Sequence, residues 1–128
     1  MSTLKISVVC CDDAAAKHTQ ITSIEVDSSV IDEMVFETAE QKLEAGLTRG
    51  LHNAAHHDQY GPVTYLQNVH SGGFYVTVGD PNDLKETFFG PGSLVAFIDD
   101  QGPGHGSKVG PDGVVRTMRI LKGHLKVT

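Results

Sequence analysis

Tryptophan is absent from this chain of 128 residues, cysteine occurs only twice, and basic residues are outnumbered by acidic ones, ten to sixteen. The net charge of −6 argues against nucleic acid as a partner, because nucleic acid selects a basic face. It argues equally against an anionic membrane surface. The two cysteines, Cys10 and Cys11, are adjacent, and vicinal thiols bridge only with strain. They read as reduced thiols, one of them buried in a strand, which fits a cytoplasmic protein. No segment approaches the ~20 apolar residues of a spanning helix. Met1 to Val9 lacks the long apolar stretch of a secretory signal. Internal repeats, low-complexity tracts and linkers are also missing, so residues 1–128 read as one domain.

Without tryptophan, the interior must be built from Phe, Val, Leu and Ile. At 39% hydrophobic residues there is enough apolar material for one core. Glycine, by contrast, is plentiful at fourteen, as a turn-rich β protein requires.

Leu4 to Val9 alternates apolar and polar residues and reads as a strand, with a second at Ile21 to Val26. Asp27-Ser28-Ser29 carries an N-cap signal for a helix. Strong helix formers from Ala39 to Ala45, with Gly46 as a stop, extend that expectation towards Leu47. After Gly50 the texture turns to strands. Val63 to Val69, Gly73 to Val78, Phe88–Phe89, Leu94 to Ile98 and Val114 to Leu121 are separated by Gly, Pro, Asn and Asp clusters. Short strands at that spacing predict an all-β sandwich or small barrel. Residues 1–50 then supply outer strands and one short helix, and residues 51–128 the barrel core.

The ordered set S-G-G-F-Y-V-T-V-G-D (Ser71 to Asp80), then F-G-P-G-S-L-V-A-F-I-D-D-Q-G-P-G-H (Phe89 to His105), resembles small single-domain cupins over roughly residues 57 to 109. The resemblance implies a β-barrel or jelly roll of two facing antiparallel sheets. It also implies a homodimer through sheet edges or faces, with Leu4 to Val9 as a candidate exchanged strand. Typical cupins carry a histidine-x-histidine pair and a carboxylate in a first motif and a further histidine in a second. That set suits a divalent transition metal. His105 matches the second-motif histidine. Counted back without gaps, the first-motif positions fall on Gln59, Gly61 and Tyr65. With a loop insertion, His52 or His56 and Asp58 take them. On a regular strand His57, Gln59, Tyr65 and Gln67 share one face while His56 and Asp58 share the other, and a one-residue slip reverses both.

The expected site therefore holds His105, His57 and Tyr65 as acid–base groups, with Gln59, Gln67, Phe97 and Asp99 against a ligand. No cofactor is expected. The alternative is a divalent transition metal on His52, His56, Asp58 and His105. An imidazole near its usual pKa of about 6.5 serves as base or acid at neutral pH, and a phenol can donate to an oxyanion. These groups point to lyase, isomerase or cyclase chemistry on a small carbonyl-bearing or aromatic molecule. A non-catalytic binding protein and a metal-dependent dioxygenase are the other readings. His18 and His124 read as surface residues. Most of Tyr60, Tyr65, Tyr75, Phe74, Phe88, Phe89 and Phe97 read as core. Replacing His105 with alanine is expected at this point to remove activity and leave stability almost unchanged.

Overall fold

The computed structural model describes residues 3–11, 19–52, 55–80, 82–99 and 104–126, with the side chains of 11, 51, 52, 56 and 80 outside that description. Residues 12–18, with His18, and residues 100–103 also lie outside it. Among the described residues nine strands and one helix follow in order: β1 (Thr3–Cys11), β2 (Thr19–Asp27), α1 (Ser28–Met34), β3 (Val35–Leu43), β4 (Thr48–His52), β5 (His56–His57), β6 (Gly61–Asp80), β7 (Asp83–Phe89), β8 (Leu94–Phe97) and β9 (His105–Lys122). The fold is all-β with one short helix, as the composition and turn spacing led one to expect. No helix among the described residues is long and apolar enough to cross a membrane.

The strands form one mixed sheet in the order β2-β1-β8-β6-β9-β3, with β4 on β9 and β5 and β7 on β6. It curls until β2 touches β6 through Thr19 and Gly79, but it is not a clean barrel. Alternation explains how β1 serves two cores. Ile6, Val8 and Cys10 join one cluster with Leu66, Ala96, Leu121 and Ile31 of α1. Val9 joins the other, with Phe74, Val95, Phe97 and Val114. The strand expected as an exchanged element is paired on both edges within its own chain, antiparallel to β2 and parallel to β8.

The helix begins where the sequence signal placed it. Asp27 caps it, its Oδ1 accepting from Ser29 N at 3.0 Å and from Ser29 Oγ at 3.0 Å. Asp27→Ala is expected to lower stability by about 1 kcal/mol, read from the urea midpoint. The expected continuation through Ala39 to Ala45 is overturned. Residues 35–43 form β3, paired antiparallel to β9 from Val35↔Leu121 to Leu43↔Val114. Local helix propensity is worth a few tenths of a kcal/mol per residue, less than a full ladder of strand pairing. In the β register Ala39, Gln41 and Leu43 turn inward while Glu40 and Lys42 face solvent.

Two stretches expected as separate strands, Val63–Val69 and Gly73–Val78, are one 20-residue strand, β6. Its pairing with β9 is interrupted between Val69 and Ser71 and between Gly72 and Phe74. The bulge reverses the facing of the strand. Val69, with Tyr65 packed against the same cluster, is inward before it; Phe74, Val76 and Val78 are inward after it. At this bend Gly72 (φ 67°) lies against Gly113 (φ 74°), so close that a Cβ on Gly72 would sit 2.0 Å from the Gly113 carbonyl oxygen.

Candidate functional site

Between the inner face of the sheet and the wall formed by β3 and β4 lies a cavity of about 600 Å³. β6 contributes Tyr65 and Gln67, β8 contributes Phe97, and β9 contributes His105, Ser107, Val109, Arg116 and Met118. Gln41 and Leu43 of β3, Leu47, and Thr48 and Arg49 of β4 complete the lining.

His105 opens β9, directly after Gly104 with φ 75°. It is buried, and its Nδ1 lies 2.5 Å from Asp99 Oδ2. Asp99 is fully buried two residues after β8. Its other oxygen, Oδ1, has no hydrogen-bond partner among the described residues. Phe97 stacks on the imidazole, centroids 4.4 Å apart and planes 28° from parallel. The ring is thus fixed in position by the carboxylate and in plane by the phenyl group. A carboxylate on Nδ1 selects the tautomer that exchanges protons through Nε2.

Tyr65 shares the cavity. Burial raises its pKa above the ordinary 10.0, with Glu37 and Asp58 adding to the shift. The phenol therefore keeps its proton at neutral pH and serves as a donor. Gln67 is buried at 5% exposure, and its Oε1 has no partner among the described residues. A buried amide left in that state costs roughly 1–3 kcal/mol.

The structure brings together His105, Tyr65, Gln67, Phe97 and Asp99, but not His57 or Gln59. The expected continuous strand is broken. Gly61, at φ 71°, closes a hairpin in which His57 pairs with Gly61 and His56 with Pro62. His57 instead packs edge-on to Phe36 (centroids 5.9 Å apart) and beside Tyr60 (5.1 Å), and its Nδ1 accepts from Gln59 N at 3.0 Å. Neither residue lines the cavity. Asp58 sits on the exposed turn of that hairpin. His52 pairs through its backbone with His105, but the side chains of His52 and His56 lie outside the described residues. Among the described residues no three His, Cys, Asp or Glu side chains converge. They give the cavity a single imidazole, His105, and two of the four residues of the metal alternative, His52 and His56, have side chains outside that description. His124, expected at the surface, is half-buried and bonded through Nε2 to the Ala55 carbonyl at 3.0 Å. Tyr60 and Phe88, expected in the core, are exposed.

Sequence reasoning missed Arg116, Arg49 and Gln41. Arg116 had a legible signal. It stands two residues from Val114 and two from Met118, a cation in an otherwise apolar alternating row. Its Nε donates to Gln41 Oε1 at 2.8 Å, and its guanidinium lies over the Phe74 ring at 4.7 Å. Gln41 had no signal, because its segment reads as helix. No family model matches the chain, and no curated protein matches it.

Proposed function

We propose that this chain is a small cupin-like enzyme that moves protons on a carbonyl-bearing small molecule, in the manner of an isomerase, lyase or cyclase. The observation that carries the reading is the buried His105–Asp99 pair at the wall of the cavity. His105 Nε2 takes a proton from the carbon next to the carbonyl. The C–H electron pair becomes the new carbon–carbon double bond, and the negative charge moves to the carbonyl oxygen. Tyr65 donates a hydrogen bond to that oxygen. Asp99 stabilises the imidazolium that results. Returning the proton to a different atom completes an isomerisation; expelling a neighbouring group completes an elimination. The all-β fold, the Phe89-Gly90-Pro91-Gly92 turn between β7 and β8, and the Gly104–His105 corner support the cupin-like assignment.

The test is proton–deuterium exchange. A panel of 2-oxo acids and aryl ketones is incubated with the protein in D₂O, and loss of the α-proton signal is followed by NMR. Catalysed exchange in at least one compound is expected, falling by about 10²–10⁴-fold in Asp99→Asn. Binding without exchange across the panel would make this a binding protein and sink the catalytic reading.

A further inference from the structure

We infer that the cavity selects a ligand bearing a carboxylate, and that Arg116 receives that group. The inference rests on the proton-transfer reading and names its substrate class. It begins from a mismatch of charge. The chain carries −6 overall, yet among the described residues the cavity lining contains Arg49 and Arg116 and neither Asp nor Glu. Asp99 lies behind His105 and does not line the cavity.

Arg116 is built to hold an anion rather than to rest in solvent. The Gln41 bond and the Phe74 ring fix the plane of its guanidinium. Gln41 is itself held, its Nε2 donating to Met118 Sδ at 3.9 Å. Among the described residues no carboxylate pairs with Arg116. Burial accordingly lowers its pKa from 12.5 to about 10, and it is still a cation at neutral pH. A guanidinium whose Nε is engaged presents its terminal N–H groups, the geometry that carboxylates satisfy through two parallel bonds.

Gln67 lines the same space. It is opposite Met118 in the β6–β9 ladder, and Arg116 is opposite Val69. Gln67 and Arg116 are therefore diagonal neighbours on the inward face, with backbones about 7–8 Å apart. Gln67 Oε1, without a partner among the described residues, is an acceptor and takes a donor on the ligand such as a hydroxyl, which leaves the carboxylate to the guanidinium flanking the same space. Leu43, Phe97 and Met118 line the rest of it and suit an apolar or ring-shaped body.

The probes are benzoate and benzamide, which share a ring and differ in the charged head. Affinities come from isothermal titration calorimetry, backed by NMR shift mapping. Wild-type protein is expected to bind benzoate at least about tenfold more tightly than benzamide. Arg116→Met should erase that preference, and Arg116→Lys should keep part of it, which separates lost recognition from lost folding. Equal affinity for the two probes, absence of benzoate binding in the millimolar range, or an unchanged preference in Arg116→Met would overturn the inference. Preference for benzoate in a protein that exchanges no α-protons would overturn the catalytic reading and leave the carboxylate site standing. Exchange without that preference would do the reverse.

Discussion

His105→Ala is expected to lower the free energy of unfolding by about 3–5 kcal/mol, which for a domain of this size is a drop in Tm on the order of 10–20 °C. This corrects the expectation, drawn from the sequence, that stability would barely change. That expectation treated His105 as a loop residue at a pocket mouth. In the structure it is buried and 2.5 Å from an Asp99 carboxylate with no exposure at all. Removing the imidazole leaves a buried carboxylate with neither oxygen paired, since Oδ1 is already without a partner among the described residues. A double-mutant cycle separates this effect from simple loss of packing. Urea unfolding of His105→Ala, Asp99→Asn and the double variant should give a coupling of at least about 1.5 kcal/mol, because neutralising Asp99 removes the charge that the imidazole compensates. Additive effects, each below about 1 kcal/mol, would mean that the pair does not act as a unit.

An effect at least as large is expected at a position with no chemistry. Gly72→Ala should prevent folding or lower stability by more than about 4 kcal/mol. A Cβ there would meet the Gly113 carbonyl oxygen at 2.0 Å and its carbon at 2.8 Å, and both neighbours are backbone. The left-handed φ of 67° adds a second penalty. Gly92→Ala is the matched control. Gly92 has φ 88°, but nothing lies within 4 Å of the Cβ it would gain. Its substitution should cost only the conformational part, about 1–2 kcal/mol. The gap between the two urea midpoints therefore measures how closely β6 and β9 cross. Similar midpoints would show that the crossing can open to admit a methyl group.

Much of the fold was legible because β alternation and turn residues are local signals. Leu4 to Val9, Ile21 to Val26 and Leu94 to Ile98 sit close to where alternation placed them. Asp27 was identifiable as a cap from its own neighbours. What failed depended on residues far away in sequence. Ala39 to Ala45 is helical by composition and a strand only because β9 is available to pair with it. The glycines at 72–73 and 110–113 looked like strand ends, and the structure uses them as bends within long strands. The site divides in the same manner. His105, Asp99 and Phe97 lie close together in the sequence and could be read together. Tyr65 and Gln67 followed from alternation on a single strand. His57 and Gln59 were assigned to that strand too, and the hairpin at Gly61 removes them. Arg116 and Gln41 meet across two strands 75 positions apart in the chain, a contact that no local pattern announces.

The parallel placement of β1 beside β8 has a consequence for how the chain reaches its final shape. Val9 must wait for Phe97, and Val35 for Leu121, before either finds its neighbour. Most of the ladder therefore closes between distant segments, the kind of topology that assembles slowly. On the ribosome, the β1–β2 pair would emerge with the β8-facing edge of β1 bare, and it would stay so while about seventy further residues are made. During that interval the nascent polypeptide is most exposed to sticking to its neighbours.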